Sequence, residues 1–70
     1  PSFAPAWNAR GYALFRLKRT REALADLDHA LKLNPNYANA LQNRSQVRKA
    51  LGDAAGSAVD ARKAASLLKK

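Results

Sequence analysis

The sequence predicts an all-α fold of two antiparallel helix-turn-helix hairpins stacked on one another. Small or apolar residues recur mostly three or four apart at Trp7, Gly11, Leu14, Leu17, Ala23, Leu24, Leu27, Ala30 and Leu31, the period of helices with one buried face. A polar break at Lys18-Arg19-Thr20 divides this pattern in two, and Asn34-Pro35 ends it. Moving the chain along by 34 positions then sets Trp7 on Leu41, Gly11 on Ser45, Leu17 on Leu51, Ala30 on Ala64 and Leu33 on Leu67, so that the hairpin is followed by an imperfect copy of itself.

Each element follows from local chemistry. Residues Pro1 to Pro5 form a lead-in, and Pro5 suits a first helical turn because its missing N–H leaves nothing unsatisfied. The first helix is expected from about Ala6 to Lys18, with Trp7, Leu14 and Leu17 toward its partner and Gly11 permitting close approach of two backbones. Thr20 is expected to cap the second helix, which continues to Leu33, with Glu22 near the positive end of its dipole and Asp28 paired to Lys32 one turn on. Pro35 disfavours helical dihedrals at Asn34, and Asn36 is expected to cap a third helix from Tyr37 to Leu51, where Ser45 takes the place of the close-packing glycine. Gly52 is available for a left-handed C-cap and Asp53 for the N-cap of a fourth helix from Ala54 to Leu68. That helix is alanine-rich, carries Gly56 in its first turn, and is expected to pack thinly and fray toward Lys69 and Lys70.

These residues resemble the tetratricopeptide repeat. Trp7, Gly11, Ala23, Leu27, Ala30 and Pro35 fill the family's pattern of a large residue, a small one four later, three residues of the second helix, and a closing proline. In the second copy Leu41, Ser45, Ser57, Ala61 and Ala64 hold those places more loosely, without a closing proline, and the resemblance covers Ser2 to Lys70. It implies a first unit over 6–35 and a second, degenerate unit over 36–70, forming a short right-handed solenoid. Repeats gain stability from their neighbours, and two without a cap are expected to be a segment of a longer array.

Composition narrows the function further. The chain has 70 residues, no cysteine, and 13 basic against 5 acidic residues, for a net charge of +8. Without cysteine there is no disulfide framework, thiolate metal site or cysteine nucleophile. No apolar run is long enough for a membrane span and the start lacks a signal peptide, so the default expectation is a cytoplasmic protein without a membrane role. His29 is the only histidine and lacks the convergent ligands that a metal needs, so it is expected to be a solvated helix residue. Ser45 and Ser57 lack a nucleophile elbow, and Gly52, Asp53 and Gly56 are spaced wrongly for a phosphate loop. Glu22, Asp26 and Asp28 are read as a solvated acidic face rather than an acid–base pair. The expectation is a non-enzymatic segment with no cofactor or metal.

The resemblance implies a concave groove lined by the first helix of each unit. Its residues would be Asn8, Ala9, Tyr12, Phe15 and Arg16, with Asn39, Gln42, Asn43, Gln46 and Lys49. On the first helix these lie away from Trp7, Gly11 and Leu14, as helical periodicity also requires. Such a surface would hold a protein or peptide segment by amide hydrogen bonds, with Tyr12 and Phe15 supplying apolar area. Phe15 packing between helices is the competing reading of that side chain. Asn8 and Tyr12 stand where a carboxylate-gripping subgroup has lysine and asparagine, which argues against that clamp. The alternatives are a nucleic-acid or other polyanion surface, built from Arg10, Arg44, Arg48, Arg62 and Lys63 with Arg16, Lys18, Arg19 and Arg21, and a self-associating scaffold segment whose last helix is covered by another unit or chain.

Overall fold

The computed structural model describes residues 3–69; Pro1 and Ser2 of the expected lead-in and Lys70 of the expected frayed end lie outside them. Four helices follow in order: α1 over Ala4–Arg16, α2 over Thr20–Leu33, α3 over Ala38–Ala50 and α4 over Ala54–Leu68. Helices α1 and α2 pack as one hairpin and α3 and α4 as the next, while α2 lies on α3 and α1 touches it more lightly. The result is a slab with extents of 33 × 29 × 16 Å.

Helix α1 begins two residues earlier than expected, because Phe3 serves as its N-cap and Pro5 falls in the first turn. It also ends earlier, at Arg16. Leu17 and Lys18 turn the chain: the Lys18 N–H donates to the Phe15 carbonyl and the Arg19 N–H to the Leu14 carbonyl, the Schellman pattern that closes a helix through a left-handed residue. Lys18 supplies that residue at φ 64°, without the freedom of a glycine. Leu17 consequently points away from the core and is 68% exposed, contrary to its expected packing against α2.

The second hairpin turns in the same way, with Gly52 at φ 86° and the Asp53 N–H donating to the Arg48 carbonyl. Asp53 caps α4 as expected, accepting from the Gly56 N–H at 2.8 Å. A Cβ on Gly56 would collide with the Asp53 carboxylate, so the glycine in this first turn makes room for the cap. Neither Thr20 nor Asn36 caps its helix. Arg19 and Tyr37 hold those positions without side-chain caps, and the connector is instead tightened by Asn34, whose Oδ1 accepts from the Asn36 N–H.

Two apolar clusters cross the joint between hairpins. Ala30, Leu31, Ala40, Leu41 and Ala64 form one, flanked by Trp7 and Tyr37; Ala23, Leu27 and Val47 form the other, flanked by Leu14, Phe15, Leu24 and Leu51. Because each cluster draws on both hairpins, the burial that stabilises either one is completed by its neighbour.

Beside these clusters runs a polar skeleton that departs from the expected solvated acidic face. Arg10 grips Asp26 through Nε and Nη2 at 2.7 and 2.9 Å, and Arg44 grips Asp60 through the same two nitrogens at 2.9 and 2.8 Å. Arg48 adds a bond to Asp60 at 3.1 Å, and the Arg44 Nη1 reaches across the joint to Asp28 at 3.1 Å. Asp28 therefore faces α3 rather than pairing with Lys32. Asp26 and Asp60 are both buried, and no buried side-chain polar atom among the described residues lacks a partner.

Candidate functional site

Helices α1 and α3 lie side by side on one face of the slab, and the hollow between them is lined by Asn8, Ala9, Tyr12, Asn39, Asn43 and Gln46, with a volume of about 410 Å³. Its floor is a ladder of three asparagines. The buried Asn8 donates from Nδ2 to Asn39 Oδ1 at 2.9 Å and accepts at Oδ1 from Asn43 Nδ2, also at 2.9 Å; Asn43 Nδ2 donates again to Asn39 Oδ1 at 3.2 Å. Asn8 Nδ2 also approaches the Tyr37 hydroxyl at 3.5 Å. Asn8 is thus a brace between hairpins, and the outward-facing amide chemistry of the hollow belongs to Asn39, Asn43 and Gln46.

Tyr12 forms one wall. Its ring is 41% exposed, the Arg16 guanidinium stands 5.9 Å from the ring centroid, and the Arg16 Nη1 donates to the Tyr12 hydroxyl at 3.2 Å. This pair holds a cation and an aromatic face together on the exposed side of α1. Gln42 sits around the corner, where Gln42, Asn43, Ser45, Gln46, Ala61, Ala65 and Leu68 line a second hollow between α3 and α4 of about 610 Å³.

Besides Gln42, three expected groove residues do not line the α1–α3 hollow. Phe15 is half-buried against the cluster of Ala23, Leu27 and Val47, which is the packing role weighed against a binding one. Arg16 and Lys49 are exposed near the ends of α1 and α3, Arg16 acting through its contact with Tyr12.

The basic residues divide in a way that the sequence did not disclose. Arg10, Arg44 and Arg48, expected among the cations of an anion-binding patch, are engaged by carboxylates. The Arg44 pKa is raised above its ordinary value chiefly by its hydrogen bond to Asp60, against the opposing effect of burial and with help from the charges of Asp60 and Asp28. Arg10 is raised by the hydrogen bond and charge of Asp26. Arg19 is likewise tied to Glu22. His29 is exposed, but it is more than a solvated residue: its ring lies 4.1 Å from that of Trp7, on which Arg10 also stacks at 4.9 Å. Among the described residues no group of three or more His, Cys, Asp or Glu could hold a metal ion.

One signal for the Arg–Asp pairs was present in the sequence. Arg10 and Asp26 are sixteen apart, and so are Arg44 and Asp60, each at the same place in its copy.

Paired helices of this length, stacked so that their first members line one hollow, define a helical-hairpin repeat protein. The tetratricopeptide repeat family model matches residues 4–37, from the first residue of α1 through the connector to the second hairpin, and this first hairpin is a tetratricopeptide repeat. The second hairpin is not matched separately and carries its resemblance in its geometry. No curated protein matches the chain. Repeats of this family are generally non-enzymatic scaffolds that mediate protein–protein interaction and typically hold proteins or peptides. No helix among the described residues is long and apolar enough to cross a membrane.

Proposed function

We propose that this chain is a non-enzymatic interaction module that takes a peptide segment in the hollow between α1 and α3. The observation that carries the reading is the asparagine ladder. Asn8 fixes the positions of Asn39 and Asn43 by hydrogen bonds between the two helices, and amides held in this way lose little further conformational entropy when they meet a ligand backbone. Asn43 Oδ1 and Asn39 Nδ2 supply an acceptor and a donor for a peptide unit, Gln46 offers one of each, and Tyr12 with Arg16 supplies an aromatic face and a cation at the rim.

The test is a titration of the labelled protein with a diverse peptide library and, separately, with short single- and double-stranded nucleic acids over a series of salt concentrations. The reading expects peptide-induced amide shifts at Tyr12, Asn39, Asn43 and Gln46. Gln46→Ala, which removes an exposed side chain without touching the ladder, should weaken binding at least several-fold while leaving the helical circular dichroism unchanged. Broad arginine shifts with nucleic acid that vanish as salt rises, with no peptide response, would replace this reading by electrostatic anion binding. A mass that grows with concentration, with no response to either ligand, would replace it by self-association.

A further inference from the structure

The five acidic side chains of the protein all belong to the second helix of a hairpin: Glu22, Asp26 and Asp28 to α2, Asp60 to α4 and Asp53 to its N-cap. Each lies within ion-pair distance of an arginine. Helices α1 and α3, whose residues line the hollow, contain no acidic residue. Nothing on either helix repels an incoming carboxylate.

Four cations that no carboxylate holds among the described residues gather at one end of this hollow. Arg16 follows Tyr12 by four positions and Lys49 follows Gln46 by three, so each stands one turn beyond the last lining residue of its helix, on the same face. Lys18 and Arg21 continue the charge around that end of the slab, where they line a depression of about 370 Å³ with Arg19, Thr20, Glu22 and Leu51. All four are exposed. Helix dipoles favour cations at the C-terminal ends of α1 and α3, but they disfavour Arg21, the second residue of α2. Positive charge is thus concentrated at this end beyond what the helices themselves favour, while the middle of the hollow is neutral amide.

Resting on the peptide-binding reading of the hollow, we infer that its ligand is a peptide with a cluster of Asp or Glu side chains at one end, the end that passes Arg16 and Lys49 toward Lys18 and Arg21. The amides of Asn39, Asn43 and Gln46 meet the uncharged backbone of the segment, and the four cations meet its acidic end. A single terminal carboxylate cannot engage cations spread over the ends of two helices and a turn, so side-chain carboxylates carry the recognition. A nucleic-acid strand fits less well, because it bears a charge at every unit and would lay phosphates along the uncharged stretch as well. The cations are exposed, so the selectivity they confer is strongest at low ionic strength.

The probe is a displayed library of random linear peptides, selected against the intact protein at low salt. Selected sequences should share a run of Asp or Glu at one end. A synthetic copy of the best one should lose at least about tenfold in affinity when its acids become Asn and Gln, and none when its C-terminus is amidated. Arg16→Gln with Lys49→Gln, at exposed positions and with unchanged helical circular dichroism, should weaken the acidic peptide similarly and leave the amide version as it was. A spin label at the acidic end should broaden the amides of Arg16 and Lys49 before that of Asn39. Selected peptides that shift Tyr12, Asn43 and Gln46 yet bind equally well without their acids, or place the acidic end beside Asn39, would overturn this inference and leave the peptide-binding reading standing. Affinity lost on amidation alone would overturn it in favour of a grip on the chain terminus. No selected peptide at all would overturn the peptide-binding reading and this inference with it.

Discussion

In the first hairpin the close crossing sets Gly11 against Leu27, so that a Cβ on Gly11 would stand 2.9 Å from Leu27 Cγ and 3.3 Å from the Ala23 carbonyl oxygen. In the second, Ser45 and Ala61 occupy those places, and the Ser45 hydroxyl lies 2.9 Å from the equivalent carbonyl, that of Ser57. The exchange is coordinated. A larger residue on the first helix is accommodated by a smaller one on the second, and a hydrogen bond stands where leucine packing stood. The same trade recurs nearby: Leu14 becomes Arg48, which joins Arg44 on the buried Asp60, whereas among the described residues Asp26 is paired with the exposed Arg10 alone. Degeneracy of the repeat pattern in the second copy is therefore a change of bonding, from apolar interlock to polar clamp, within one backbone design.

The sharpest way to break this comparison is to remove the parts that the two hairpins do not share. Leu27→Ala should be the most damaging single change, costing about 2–5 kcal/mol, since Leu27 is fully buried at the centre of its cluster; urea unfolding followed by circular dichroism would measure it. Next come the aspartates. Asp60→Ala leaves two half-buried arginines without their partner and should cost about 3 kcal/mol, whereas Asp26→Ala leaves one arginine that water can reach and should cost about 1 kcal/mol. Gly11→Ala should cost about 1 kcal/mol net, overpacking against Leu27 being partly offset by better helix propensity. The same substitution should be nearly harmless in a Leu27→Ala background, which a double-mutant comparison would reveal.

The smallest expected effect concerns the turns. Lys18 and Gly52 occupy equivalent left-handed positions, but only glycine adopts that conformation without steric cost. Lys18→Gly should stabilise the protein by about 0.5–1 kcal/mol and Gly52→Lys should destabilise it by a similar amount, both visible as shifts in the urea midpoint.

The elements themselves were legible because helical spacing and punctuation residues act locally. The bounds of α2 and α4, the Gly52 turn and the Asp53 cap follow from residues within a few positions of each other. What escaped depends on how one helix registers against another. Asp26 and Asp60 resemble surface acids until the hairpin closes and brings an arginine from sixteen residues away. Asn8 has the pattern of a groove residue, and only the approach of α3 turns it into a buried brace. Leu17 has core spacing, but its helix ends at Arg16 and the turn carries it outward. Periodicity encodes which face is apolar, while polar partners across a joint are set by tertiary geometry.

The most direct test of the contrast between hairpins is a pair of double-mutant cycles, Arg10→Ala with Asp26→Ala and Arg44→Ala with Asp60→Ala, measured by urea unfolding. The account predicts a coupling energy for the second pair larger by about 1–2 kcal/mol, because Arg44 is shielded and Asp60 is almost fully buried. Equal couplings, or a larger value for the first pair, would contradict the claim that the second hairpin is the one held by its polar clamp.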